Sequence, residues 1–282
     1  MQVIQTVKEM QARADRMRRQ GKTIAFVPTM GFFHEGHLSL MRIARKMGDD
    51  LAVSIYVNPT QFGPGEDLDA YPRDLDRDLE LAEKENVDVV FTPDNAALYK
   101  EKFQTYVALE KLPNYLCGLS RPNHFRGVAT VVTKLFNIVK PHIAVFGQKD
   151  YQQLAVIRQM VRDLDFDIEI IGAPIIREPD GLAMSSRNSY LSPDQRASAL
   201  SLYTSLIKAQ SLVENGIKDT AKIIEETSML IKSHSETKID YIAICNPETL
   251  VDIQTIDGPA LMALAVKVGK TRLIDNLMLN AG

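Results

Sequence analysis

The feature that most limits what this chain can fold into is a series of short, almost wholly apolar runs, each stopped by a turn-forming residue. Residues 23–27 (TIAFV) end at Pro28, residues 51–57 (LAVSIYV) at Asn58-Pro59 and residues 87–91 (VDVVF) at Thr92-Pro93. Residues 143–146 (IAVF) end at Gly147, and residues 168–171 (IEII) stop before Gly172 and Pro174. Runs this short, β-branched and without polar alternation read as strands buried on both faces of a parallel sheet. Helical patterns separate them at residues 37–46, 75–86, 128–139 and 152–164, with Leu75, Leu79 and Ala82 on one face of the second. The alternation predicts an α/β protein with a doubly wound, Rossmann-like parallel sheet. Ligands of such sheets bind beyond the carboxyl ends of the strands, so the residues just after each run are the first candidates for a site.

The pattern changes after about Arg177. Residues 193–215 and 219–233 read as two helices, and residues 238–245 (KIDYIAIC) and 260–268 (ALMALAVKV) as antiparallel strands. The expected organisation is therefore a Rossmann-like domain over residues 1–176 and a second, smaller C-terminal α+β domain over residues 177–282.

Composition removes several classes of function. A chain of 282 residues, 45% of them hydrophobic, buries a full core without disulfide or metal staples. The 33 Lys+Arg against 36 Asp+Glu leave a net charge of −3, with no basic excess for general nucleic-acid binding. The longest apolar stretches, such as residues 260–266, fall far short of the roughly 18 needed for a membrane span. Residues 1–5 carry no charged segment followed by an apolar one, so no signal peptide is expected. Cys117 and Cys245, far apart and outside any CxxC, read as reduced, buried thiols of a cytoplasmic protein.

Two clusters carry chemistry. The first, Met30-Gly31-Phe32-Phe33-His34-Glu35-Gly36-His37, follows the first apolar run and opens a helix. A helix start offers N–H donors and partial positive charge, Gly36 permits close approach of a phosphate, and two imidazoles can follow charge as it develops. The spacing is not HExxH, which excludes the zinc-protease pattern. The second, Met184-Ser185-Ser186-Arg187-Asn188, brings two hydroxyls and a guanidinium suited to polyphosphate, although alone it reads better as a polar capping turn before Pro193. The acidic stretch of Asp67, Asp69, Asp74, Asp76 and Asp78 reads as a solvated helix start rather than a metal cage. His142 and His234 read as structural or exposed.

An HxGH after the first run and a serine-rich basic loop after the last resemble the HIGH/KMSKS nucleotidylyltransferase superfamily. Within it, the chain resembles the pantothenate synthetase (pantoate–β-alanine ligase) family. The matching segments are PTMGFFHEGHLSLMRIA, SIYVNPTQFGPGEDLDAYPRDLDRD, CGLSRPNHFRGVATVVTKLFNIVKP, FGQKDYQQLAVI, IIREPDGLAMSSRNSYLS and GKTRLIDN, which span nearly the whole chain. One departure is Asn123, where the family more often has glycine; asparagine also tolerates a left-handed turn.

The resemblance implies a two-step ligation: (R)-pantoate and ATP give pantoyl adenylate and pyrophosphate, then β-alanine gives pantothenate and AMP. It implies that residues 1–176 bind nucleotide and pantoate, that residues 177–282 form a lid carrying the MSSRN loop, and that the enzyme is a homodimer through the first domain. It assigns the segment from Met30 to His37 to ATP, with His34 and His37 on the phosphates and His37 as proton donor. It places Gly147, Gln148, Lys149 and Asp150 on ATP, with Lys149 neutralising phosphate and carboxylate and Asp150 on the ribose. Ile176 would meet adenine through its backbone, and Met184, Ser185, Ser186 and Arg187 would close over the triphosphate. Gln61 and Gln153, with Asn58 as a weaker candidate, would hold pantoate and β-alanine. No protein metal site is implied; magnesium would arrive on the ATP phosphates. His124 and Arg126 match a family segment but receive no role.

Two other readings compete with this one. A nucleotidylyltransferase with a phosphate acceptor would keep HxGH but have less use for the amide pair Gln61 and Gln153. A non-catalytic nucleotide sensor or RNA-binding module would be at odds with the balanced charge and with two intact phosphate clusters.

Overall fold

The computed structural model describes residues 1–280. The elements run β1 (Gln2–Ile4), α1 (Val7–Arg19), β2 (Ile24–Thr29), α2 (Glu35–Met47), β3 (Asp50–Ile55), α3 (Leu75–Lys84), β4 (Val89–Phe91) and the single turn α4 (Asn95–Leu98). They continue with the single turn α5 (Cys117–Ser120), α6 (His124–Val139), β5 (Ile143–Gly147), α7 (Tyr151–Asp163), β6 (Glu169–Ala173), α8 (Pro193–Glu214), α9 (Thr220–Lys232), β7 (Thr237–Cys245), β8 (Ala260–Val268) and β9 (Thr271–Leu279). By internal packing the chain divides into two units. The first holds Met1–Glu110, Arg121–Gln148 and Gln153–Pro174; the second holds Lys111–Ser120, Lys149–Gln152 and the residues from Ile175 onward.

In the first unit six parallel strands stand in the order β1-β4-β3-β2-β5-β6. All five apolar runs are strands of this sheet, as their patterning requires. The run at residues 23–27 is the second strand rather than the first, because β1 precedes it at the sheet edge. Val27, Phe33, Met41, Leu51, Val53, Val90 and Val145 fill a core between sheet and helices. Of the face expected on α3, Ala82 is buried and Leu79 packs against this core, whereas Leu75 is exposed and Asp78 is buried in addition. Asn123 takes φ +70° immediately before α6, the left-handed turn that asparagine can supply in place of glycine.

The second unit places α8 and α9 with the antiparallel sheet β7-β8-β9. Leu202, Leu206, Ile223, Ile231, Met262, Leu264 and Leu273 form its core. Cys117 and Cys245 are buried free thiols, and burial, aided by Asp252, pushes Cys245 up to about 12. Among the described residues, no helix is long and apolar enough to cross a membrane.

Candidate active site

In the first unit the chain winds outward from β2 to β3 and β4, then returns to place β5 on the other side of β2. The strand order therefore reverses between β2 and β5, and doubly wound sheets bind ligands at this kind of switch point. The segment from Met30 to His37 leaves β2 there, and Gly147 and Gln148 leave β5 beside it.

The histidines cap their own helix. His34 is the N-cap of α2, and its Nδ1 accepts from the Gly36 N–H at 3.1 Å. The backbone N–H of His34 donates to Nδ1 of His37 at 3.3 Å, and the rings stand 4.1 Å apart. Each Nδ1 faces an N–H donor, so each neutral ring carries its proton on Nε2. Gly36 thus spends its N–H on His34 instead of offering it to a phosphate, and the imidazole Nε2–H groups become the donors of this helix start. Glu35 pairs with Arg42. Phe33 is a core residue at 1% exposure, so only its backbone can serve a ligand.

The turn ahead of them is clamped from α3. The Asp78 carboxylate accepts from the N–H of Phe32 at 2.6 Å and of Phe33 at 2.7 Å. A side chain on Gly31, at φ +83°, would come within 2.9 Å of Asp78 and of Ile55. Asp78 is 1% exposed, and burial pushes its carboxyl above the ordinary value while the two N–H bonds pull it back. Asp78 is thus a buried anchor of the Gly31–Phe33 turn and not part of a solvated helix start; Asp74, which caps α3, fits that expectation.

Gln61 closes the 3-10 turn Pro59–Gln61. The Asn58 amide donates to the Gly127 carbonyl at 3.2 Å and to Gln61 Oε1 at 3.0 Å, while its oxygen accepts from Tyr99 at 2.9 Å and Thr60 Oγ1 at 3.0 Å. The Gly127 carbonyl can only accept, which fixes the orientation of Asn58; Asn58 then offers Gln61 a donor, which fixes the orientation of Gln61. Gln61, itself buried, therefore turns its NH2 group toward Met30, donating to Sδ at 3.2 Å. Asn58 is fully engaged inside this network. His124 holds the Gln61 carbonyl at 2.7 Å, and Arg121, paired with Glu66, lies 3.2 Å from His124 Nε2. A side chain on Gly127 would come within 2.3 Å of the Thr60 carbonyl oxygen, so α6 backs directly onto this turn. Arg126 stacks on Tyr106 at 4.5 Å. Gln153 is half-buried in the first turn of α7.

In the second unit Ile176 and Met184 are held together. The Met184 N–H donates to the Ile176 carbonyl at 3.0 Å, and Arg177 bridges Ala183 in antiparallel fashion. The turn closes through Gly181, at φ +96°. Ser185 caps the 3-10 turn Ser186–Tyr190 and accepts from the Arg187 N–H at 3.3 Å. Asn188 donates to Glu178 at 2.6 Å and to the Ala183 carbonyl at 3.1 Å, tying the loop to its hairpin. The side chain of Lys149 is 20% exposed, its ammonium 4.0 Å from the more open Asp150 carboxylate.

Sequence reasoning missed Asp78, His124 and the pair Asp275-Asn276. For Asp78 the signal was there: it stands one helical turn before Ala82 on the buried side of α3. Among the described residues, no group of three or more His, Cys, Asp or Glu could hold a metal ion.

A parallel sheet with a histidine-capped helix start and a neutral amide at its switch point defines a doubly wound, nucleotide-binding type of α/β enzyme. The family model described as pantoate–β-alanine ligase matches residues 2–278. A pantothenate synthetase of Desulfatibacillum aliphaticivorans is 63% identical over 279 residues, 99% of each chain. The crystal structure of pantothenate synthetase from Thermus thermophilus superposes with a TM-score of 0.94 at 44% identity, covering 99% of each chain. A pantoate–β-alanine ligase from Francisella tularensis, complexed with β-γ ATP and β-alanine, gives 0.81 at 32% identity, covering 100% of this chain and 99% of that one. The chain belongs to the pantoate–β-alanine ligase family.

Proposed function

We propose that the chain condenses (R)-pantoate with β-alanine at the expense of ATP, through pantoyl adenylate, and that the residues described above divide the work. A pantoate carboxylate oxygen attacks the α-phosphorus, and the bond to pyrophosphate breaks. The free amine of β-alanine then attacks the acyl carbon, AMP leaves with the bonding electrons, and the nitrogen loses a proton. A carboxylate is inert to amines until it carries a leaving group, which is why the first step is needed.

The observation that carries this reading is the orientation of Gln61. Its NH2 group is fixed beside Met30, so a neutral donor for a carboxylate or hydroxyl stands next to the ATP loop. A phosphate acceptor would call for cations there instead. His34 and His37 donate from Nε2 to phosphoryl oxygens, with His37 as the proton donor. Lys149 neutralises charge, Asp150 accepts from ribose, and Gly147 and Gln148 line the strand end. Ile176 and Met184 meet adenine, Ser185, Ser186 and Arg187 take the triphosphate, and the loop shields the adenylate from water. Gln61 and Gln153 bind pantoate, with Asn58 acting through Gln61. ATP brings its magnesium with it, largely hydrated. The family resemblance and the reduced thiols support a cytoplasmic homodimer.

Product analysis with ATP, pantoate and β-alanine tests the proposal. AMP, pyrophosphate and pantothenate should appear in equal amounts, and omitting β-alanine should leave one burst of pyrophosphate per site. Release of ADP, or a nucleotidylated product formed without the amine, would replace it with the competing readings.

A further inference from the structure

The GKTRLIDN segment matches the family yet has no part in the division of work above. It forms β9, whose inward-facing Leu273 and Leu279 belong to the apolar core of the second unit. Asp275 and Asn276 interrupt that strand, and both are buried. Successive strand residues point to opposite faces, so the two side chains reach different neighbours.

Asp275 accepts from Arg177 through two bonds, at 2.6 and 3.0 Å. Arg177 in turn donates to the Gly181 carbonyl at 3.1 Å and lies 4.0 Å from the centre of the Tyr203 ring. A side chain on Gly181 would meet that ring at 2.4 Å. Asp275 therefore fixes the hairpin that aligns Ile176 with Met184 and leads into Ser185, Ser186 and Arg187. Asn276 instead donates from Nδ2 to the Lys149 carbonyl at 2.9 Å. A buried ion pair within an apolar sheet is weak evidence of added stability, because desolvating two charges offsets their attraction. What this arrangement supplies is register. Two adjacent residues of one strand hold two segments about 30 residues apart in sequence, and both segments are assigned to ATP.

We infer that Asp275-Asn276 is a positioning device for the ligase reaction: Asn276 sets the place of Lys149, and Asp275, through Arg177, sets the hairpin carrying the adenine and triphosphate residues. The inference rests on the proposed roles of Lys149 and of that hairpin.

The test is single-turnover pyrophosphate release with four proteins: wild type, Asn276→Ala, Lys149→Ala and the double variant. Asn276→Ala should slow release on the order of 10- to 100-fold, since a misplaced catalytic group loses about that much. Half-saturation for ATP should stay within about twofold. In the Lys149→Ala background the same substitution should cost nothing further, whereas a merely structural role would lower both backgrounds by one factor. Equal factors, or full speed for Asn276→Ala beside an impaired Lys149→Ala, would overturn the positioning role alone. Full speed for Lys149→Ala would overturn the role of the lysine itself. Hydrogen exchange gives a second readout that needs no activity. Asn276→Ala should speed exchange at residues 149–152 and spare residues 176–188, and Asp275→Asn should do the reverse. Identical loosening of both segments by both variants would contradict the division of labour between the two faces.

Discussion

The two regions proposed to bind the phosphates of ATP are built in different ways. In the first unit, one string from Met30 to His37 caps its own helix and is anchored from outside by Asp78. In the second unit, Lys149 and the hairpin of residues 176–184 come from separate stretches of chain and meet on β9. A self-capped loop holds its geometry through bonds two or three residues long. An assembled region depends on a strand near the far end of the chain. Damage to the first should therefore be local and chemical, while the second should be sensitive at residues that touch no substrate.

The largest effect should come from Lys149→Ala. Loss of one charged contact in a water-poor site costs on the order of 3–5 kcal/mol, or hundreds- to thousands-fold in rate. Pyrophosphate release should nearly vanish while the circular dichroism spectrum is kept. Near-normal release with pantoate saturating would remove Lys149 from the chemistry.

His37→Ala comes next and sharpens the contrast. Its Nε2–H donor should help more as charge develops, so single-turnover adenylation should fall about a hundredfold and ATP affinity much less. The substitution also removes the acceptor for the His34 N–H, with a stability loss of about 1 kcal/mol visible in thermal melts. A variant that binds ATP poorly but adenylates normally once saturated would make His37 a ground-state contact only.

Gly127→Ala probes the pantoate side. The added methyl must displace the Thr60 carbonyl, 2.3 Å away, and with it the turn that ends in Gln61. We expect a stability loss of about 1–3 kcal/mol and a pantoate KM raised by about tenfold, with the ATP KM little changed. Equal rises in both KM values would mean that the turn serves the whole site and not pantoate alone.

The same contrast explains what could be read from sequence. Strands β2 to β5 were legible because burial leaves unbroken apolar runs, β6 because its run is short and β-branched although it stands half-buried at the sheet edge, and the histidine cluster because its geometry is local. The edge strand β1 has only three residues, two of them exposed, and leaves no such run. Helix α1 is rich in charge and buries only Met10, Arg13, Ala14 and Met17, with Arg13 paired to Asp50 at 2.6 Å. Strand β9 was hidden because Asp275 and Asn276 break its apolar pattern, and their partners at Arg177 and Lys149 lie some 100 residues or more away. Asp78 was read with the acidic residues around it. Its place one helical turn before Ala82 marks the buried side of α3, but the Phe32 and Phe33 amides that it faces lie 46 and 45 residues away in sequence.

The smallest expected effect is a pH dependence set by Asp78. Burial raises its carboxyl in the folded chain, so its charge costs stability at neutral pH, and acid relieves that cost as pH falls through the raised value. Protonation also takes an acceptor from the Phe32 and Phe33 amides. Between neutrality and about pH 4, wild-type ATP affinity should therefore weaken a few-fold more than that of Asp78→Asn, which cannot titrate. Parallel pH curves for the two proteins would show that the clamp does not shape the ATP loop.

The central claim is that ATP activates the pantoate carboxylate by adenylation. The most direct measurement is a single ligation with pantoate labelled with oxygen-18 in its carboxylate. Attack of that carboxylate on the α-phosphorus, followed by amine attack on the acyl carbon, leaves one pantoate oxygen in the product AMP. The account predicts labelled AMP, unlabelled pyrophosphate and pantothenate that keeps one labelled oxygen in its amide. Unlabelled AMP, or label in pyrophosphate or inorganic phosphate, would contradict it.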